Sequence, residues 1–533
     1  MRKAFWGNLA VLLLLLLLLP QFVGCSLLSG AFSDTSGSRS SVTSPGSNTS
    51  PSIEPADGPG SFGTPLPGQP MLYLLPLNDN GYSGLNFYGR EEYYAVIDQD
   101  GNEILRGKNL SIIHDLITGA PMAIAAERFE KTGTVDEYGF DKSVCYSALY
   151  DTSGQLLHDW QPGVYLEGFG NYIIMSAERI MRVDIGPMNM GSDFWSALCD
   201  MNTREVLIPD VYSARVMENG TLYFFDANNY PLCSSNQNLQ QRTDFSLPEK
   251  YLYLMEVDGS HIVIDSAWNY ILTDSAFRPL TSEPYNYIQK VGNEFVAAGR
   301  QDAAQEVIRA ADGAVVYTAA PGESVNYYDG DVLILSSSPF NGSMTSRLCR
   351  ADGTILADGF AQLSRAAHYD NFDVELFFGL KDNLLVVLDK TGSELAQLST
   401  QASYANYVGD ADGESGAIVL SNRDFSPDGI FTEECWMLDF SLNTIIPQGQ
   451  YASLYTFWEG HSFLIARKVS PESSSFPLVD ILSMDGTVLL EDIRNIYSGS
   501  ADRLVVQWGF WRGLVDFEGN WVYRTSSFNT LED

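Results

Sequence analysis

The chain has 533 residues, with 67 acidic side chains against 31 basic ones, a net charge of −36, and 12% aromatics. Hydrophobic residues at 45% supply enough apolar surface for a large core, which excludes a wholly disordered chain. So large an acidic excess, with no Lys/Arg-rich run to interrupt it, excludes a nucleic-acid partner.

Arg2 and Lys3 open the chain with positive charge, and an apolar stretch follows from Leu9 to Val23, with unbroken leucine from Leu12 to Leu19. The stretch is shorter than the roughly 20 residues that span a bilayer. Residues 1–24 therefore read as a signal peptide. Its end, Phe22-Val23-Gly24-Cys25, resembles the lipobox of bacterial lipoproteins. The resemblance implies cleavage after Gly24, acylation of Cys25 (palmitate among the chains), and an extracytoplasmic protein lipid-anchored to a bacterial membrane. Each buried CH₂ would contribute about 0.8 kcal/mol to that anchor.

Residues 25–70 are dominated by Ser, Gly, Pro and Thr. Such a segment cannot bury enough surface to offset its ordering entropy. As flexible coil it predicts a tether with an r.m.s. span of about 35–40 Å. The folded domain is expected over residues 71–533.

In that domain one pattern recurs. An apolar residue lies five before a glycine and another three after it, with polar turn residues between. Clear copies centre on Gly101, Gly154, Gly313, Gly353, Gly392, Gly486 and Gly519. Degenerate copies centre on Thr203, Asn229, Asn269 and Asn443, with Asn read as replacing Gly in the turn. Asp-Gly and Asn tolerate the positive φ of tight hairpins, and the flanking apolar residues would pin both strands to one core. The mean spacing is about 42 residues, which predicts an all-β, β-propeller-like body of repeated antiparallel hairpin units. The short intervals 203–229 and 486–519 read as paired hairpins of single blades, giving about nine units. One large propeller is favoured over two tandem smaller ones or a β-solenoid, because no linker interrupts the chain after Met71.

The last copy, Gly513-Leu514-Val515-Asp516-Phe517-Glu518-Gly519-Asn520-Trp521-Val522, resembles the WG repeat of bacterial proteins, with Trp508-Gly509 upstream. The resemblance implies a repetitive β-fold with binding or scaffolding roles and no catalytic residues.

Chemistry-bearing motifs are sparse. His114, His158, His261, His368 and His461 show no zinc-ligand spacing, and neither a nucleophile elbow nor a phosphate loop is present. No resident cofactor is expected. Ca²⁺ is the one ion with candidate ligands: Asp410, Asp412 and Glu414 first, then Asp98/Asp100/Glu103 and Asp329/Asp331, each weighed against a plain Asp-capped hairpin tip. With Cys25 set aside, Cys145, Cys199, Cys233, Cys349 and Cys435 read as buried thiols, with room for one disulfide. Tyr93-Tyr94, Tyr285/Tyr287, Tyr327-Tyr328 and Trp508/Phe510/Trp511 are either strand packing or a ligand face. Packing is favoured, with Tyr327-Tyr328 kept as the loop-proximal binding candidates.

The function expected is a membrane-anchored binding or scaffolding module for a protein, peptide or cell-wall glycan, with binding favoured over catalysis and catalysis left open. The alternative is an exported glycan-active hydrolase or lyase, with two inward carboxylates about 5–9.5 Å apart.

Overall fold

In the computed structural model the residues described are 71–77, 93–135, 141–177, 195–247, 250–301, 303–337, 344–367, 371–409, 416–425, 431–456, 463–469, 478–500 and 502–526. The expected signal peptide, Cys25 and the tether lie outside them. Among the described residues, strands form nine antiparallel ladders in strict chain order, with no crossover. The ten-stranded ladder divides into three, because two long strands each serve two sheets. In Thr444–Thr456 the first half pairs back onto Phe431–Leu438, and the second half pairs forward onto Phe463–Lys468. Val488–Gly499 repeats the device. The result is eleven consecutive sheets, or units.

Eleven core clusters hold these units together, and each joins one sheet to the next. The remaining cluster joins Tyr73, Leu75, Ala95 and Ile97 of unit one to Val505 and Leu514 of unit eleven, so the sheets close into a ring. The fold is a single propeller-like ring, not two tandem ones and not an open solenoid.

The turn between third and fourth strands is built the same way in unit after unit. The carboxylate of Asp98 accepts the N–H groups of Asp100 and Asn102, its carbonyl accepts the N–H of Gly101, and Asn102 returns its amide to Asp98 at 2.8 Å. Asp516 and Asn520 repeat it. Gly101 has φ +84°, and a Cβ there would lie 2.5 Å from the carbonyl oxygen of Val522 in unit eleven. This position therefore needs glycine for its backbone and for the strand that abuts it.

The left-handed positions of three turns, and the reading of the short intervals as doubled blades, differ from the sequence expectation. At three degenerate turns the left-handed residue is Arg204, Trp268 or Leu442 rather than Thr203, Asn269 or Asn443. Asn269 and Asn443 instead clasp Asp265 and Asp439 with their side-chain amides. In units four and five the turns at Asn229 and Asn269 join second to third strands. The third-to-fourth turns there are Asn236–Leu239 and Asp274–Phe277, with Leu239 and Phe277 left-handed. Finally, the short intervals do not mark doubled blades, since every unit is a sheet of its own.

Candidate functional site: an aromatic face opposite an acidic one

Strands alternate in direction, and the links from a fourth strand to the next first strand are short, a single residue at Asn109, Gly163 and Ala361. All units therefore present corresponding turns on the same side. One face carries the first-to-second and third-to-fourth turns. The other carries the second-to-third turns and the links.

The turn face is acidic. Asp151, Asp200 and Asp389 sit on its hairpins, where hydroxyl and N–H donors from Ser153, Thr203 and Thr391 hold each carboxyl below its usual range. The Asp98 carboxylate is likewise spent on its own turn, and Glu103 is held by Arg106 and Tyr523. Asp329 is held by Lys390 at 2.7 Å and accepts the Tyr327 hydroxyl. These are capped turns, as the plainer sequence reading allowed. Asp410, Asp412 and Glu414 lie outside the described residues. Among the described residues no group of three or more His, Cys, Asp or Glu is placed to hold a metal ion.

Along the first strands, several charged or amide side chains bridge to a neighbouring unit. Glu167 accepts the N–H of Ala214 at 3.1 Å, and Arg215 donates to the carbonyl of Leu254 at 3.4 Å. Glu256 accepts the N–H of Glu218 at 2.9 Å. Gln362 donates to the carbonyl of Ala405 at 2.6 Å and accepts its N–H at 3.0 Å. Burial pushes the carboxyls of Glu167 and Glu256 up to about 7. Glu256, with Glu218 and Lys290 beside it, is the nearest approach to an acid/base pair, but its oxygen is already committed to a backbone N–H.

The opposite face is different in kind. Exposed Trp195 (39%), Trp268 (72%), Phe510 (70%) and Trp511 (41%) all stand on second-to-third connections or strand ends there. Tyr287 and Tyr404 begin their first strands on the same side and are exposed, as are Val469 and Leu478. Gly299 makes room for the Tyr287 ring, since a Cβ there would meet it at 2.3 Å. Cations lie over several rings near this face: Lys108 over Tyr93 at 5.0 Å, Lys250 over Tyr230 at 5.3 Å, and Arg524 over Trp511 at 4.6 Å. Such a surface offers flat apolar rings rimmed by donors.

The sequence candidates divide accordingly. Phe510, Trp511 and Tyr287 are on the surface, whereas Tyr285 is buried. The binding role expected for Tyr327-Tyr328 is overturned: both are buried, Tyr327 against Phe372 and Phe377, and Tyr328 against Phe295. The five cysteines are buried thiols in five different sheets, with no disulfide among them. Trp195 and Trp268 were not singled out from sequence, because nothing in a lone tryptophan distinguishes an exposed turn from a core strand.

Residues 273–533 match a family described as a domain of unknown function (DUF5046), a span that takes in units six to eleven. No curated protein matches the chain. Solved structures similar to it include one described as the eukaryotic initiation factor, at 9% identity and TM-score 0.35, covering 79% of this chain and 95% of that one. BamB from Moraxella catarrhalis matches at 12% and 0.25, covering 71% and 96%. AztD from Citrobacter koseri matches at 12% and 0.24, covering 62% and 95%. Likenesses this distant carry no argument about function.

Proposed function

We propose that the protein is a binding module that docks a partner on its aromatic face, held at a bacterial membrane by lipid on Cys25. The observation that carries this reading is that, among the described residues, the exposed Trp and Phe side chains stand on one face of the ring. Scattered apolar side chains, such as the exposed Tyr455 on the acidic face, are ordinary on a surface, whereas several indole and phenyl rings gathered on one face are the usual mark of an interaction site. The acidic turns would keep the opposite face in solvent. Among the partner classes, a peptide or glycan that stacks on rings suits this face best.

The test is a thermal-shift panel of cell-wall glycans and peptides on the chain and on Trp268→Ala and Phe510→Ala. A ligand at a hundred times its Kd stabilises by about 2.7 kcal/mol. A hit weakened by either substitution supports the reading, and hits indifferent to both reject the face. The anchor has its own check: Cys25→Ala should move the protein from the membrane fraction to the soluble one, and unchanged fractionation rejects it.

A further inference from the structure

At four seams the third-to-fourth turn closes tightly on the unit before, and at the seam of units three and four it does not. Gly101, Gly154, Gly392 and Gly486 sit on turns of four or five residues, at 99–102, 151–155, 390–393 and 484–487. Each lies against the second residue of the preceding unit's fourth strand, which is Val522, Ile104, Leu356 and Ile445 in turn. A Cβ on any of these glycines would stand 2.5–3.2 Å from that residue's carbonyl oxygen, so backbone meets backbone across the seam.

Unit four breaks the pattern. Its third-to-fourth connection has seven residues, 236–242, between Pro231–Ser235 and Thr243–Asp244. The loop is held in shape by Asn236. Its side-chain oxygen accepts the N–H groups of Gln240 at 2.9 Å and Gln241 at 3.1 Å, and its carbonyl accepts that of Leu239 at 3.0 Å. Leu239 is left-handed, with φ 59°. Leu207 is the second residue of unit three's fourth strand, and so the counterpart of Val522 and Ile104. Instead of meeting a turn glycine, it lines with Leu239 a cleft of about 400 Å³ on the acidic face. Ligand clefts are typically about 300–1,000 Å³, so this one suits a small molecule.

The two sides of the seam bring opposite charges to it. Unit three supplies Asp200 and Glu205, and unit four supplies Arg242. The three bonds by which Asp200 caps its turn all fall on Oδ1, so Oδ2 is not spent on the turn. Arg242 donates its Nε–H to Asp244 at 2.6 Å and also reaches the Cys233 thiol. Those contacts fix the guanidinium, and its five donors are more than they use. Tyr172 adds a ring wall, its hydroxyl reaching the carbonyl of Asn238 in the loop at 3.5 Å.

We propose that this cleft binds a small zwitterion with an apolar body, an amino acid or a dipeptide. Its ammonium group is held by Asp200 and Glu205, its carboxylate by Arg242, and its side chain by Leu207, Leu239 and the Tyr172 ring. A guanidinium matches a carboxylate in geometry as well as charge. The site stands on the face opposite the exposed tryptophans, and it is independent of any partner docked there.

The experiment is isothermal titration of the full chain with leucine and with leucyl-leucine, each compared with its N-acetylated and its C-amidated form. At least one of the two zwitterions should bind, and blocking either charge should weaken it by roughly tenfold or more. The tighter of the two identifies the source as free amino acid or peptide. Glu205→Gln should weaken the zwitterion, and Arg242→Ala should erase the difference between its carboxylate and amide forms. Both side chains are exposed, so neither change threatens the fold. Trp268→Ala should leave the affinity unchanged. Failure of both zwitterions to bind at millimolar concentration overturns the proposal. So does equal binding of the blocked forms, indifference to both Glu205→Gln and Arg242→Ala, or an affinity lost in Trp268→Ala, which would seat the ligand on the aromatic face.

Discussion

His261 and Glu256 stand directly opposite each other on adjacent strands, on the side of unit five that faces unit four. The His261 ring is buried against Tyr223, Tyr253 and Phe277, and neither ring nitrogen has a hydrogen-bond partner. The Tyr223 hydroxyl is spent on the carbonyl of Ser275 at 2.7 Å. Burial holds the imidazole down at about 4, against 6.5 for the free group, with Asp274 opposing weakly. Burial pushes Glu256 up to about 7 from 4.5, opposed by the Glu218 N–H that it accepts and by Lys290, with the Glu218 charge adding to the rise. The signs are opposite. For His261 the unfolded chain binds the extra proton, so its stability contribution is full above pH 6.5 and is lost as pH falls towards 4. For Glu256 the folded chain binds the extra proton, so its contribution is full below pH 4.5 and is lost as pH rises through 7. Between pH 4.5 and 6.5 the two largely cancel. Glu256→Gln should therefore make the protein acid-labile, losing up to about 3 kcal/mol relative to wild type between pH 6.5 and 4, at 1.36 kcal/mol per unit. His261→Phe should reverse the trend, with stability rising as pH falls from 7 to 4.5. Urea midpoints at pH 7, 5.5 and 4.5 would check both, and parallel pH profiles for all three proteins would refute the account.

At the scale of the element, neighbouring units are held by apolar side chains and, at several inner strands, by side-chain-to-backbone bridges. Gln362 is the clearest bridge, because both ends of its amide serve Ala405, which is fully buried. Gln362→Ala would leave an N–H and a C=O without partners at the seam between units eight and nine. A cost of about 2 kcal/mol is expected from the usual penalty for unsatisfied buried groups. It should appear as a lower urea midpoint at constant m-value, and a change below about 0.5 kcal/mol would show that water replaces the amide. Such bridges could not be read from the sequence, since a glutamine carries no sign of a backbone partner some forty residues on. The hairpins could, because Gly101, Gly392 and Gly519 announce a left-handed turn by composition. Arg204, Trp268 and Leu442 adopt the same conformation without announcing it, held by an aspartate whose carbonyl accepts their N–H. Asn269 and Asn443 were therefore assigned the wrong position by one residue, and Leu239 and Phe277 were missed altogether. The aromatic face was legible at Tyr287 and at Phe510 and Trp511, where three aromatics crowd one hairpin. Tyr327-Tyr328 looked loop-proximal because Asp329 and Gly330 follow, yet the strand places both rings inside.

For the whole molecule, ten of the eleven seams join units that are consecutive in the chain. The closing seam joins residues more than 400 positions apart, as the bond from the Tyr73 hydroxyl to Ser500 at 3.0 Å illustrates. Loop-closure entropy grows as about (3/2)RT ln n, so a tenfold longer loop costs about 2 kcal/mol more to shut. Packing at the other seams is of similar kind, with fully buried aliphatic and aromatic side chains in each cluster. The closing seam should then be the first to open, and unit one should separate from unit eleven while the remaining sheets stay stacked. Leu514→Ala sharpens this difference. Leu514 is fully buried in the closing cluster, and such truncations cost about 2–5 kcal/mol. Native-state amide exchange should show Ala95–Ile97 and Leu504–Val506 exchanging faster than Phe377–Val387 in the wild-type chain. The substitution should widen that gap by about thirtyfold or more, since each 1.4 kcal/mol is a factor of ten. If all three segments exchange at one common rate, before and after the substitution, the ring opens only by unfolding as a unit, and closure is no weaker than any other seam.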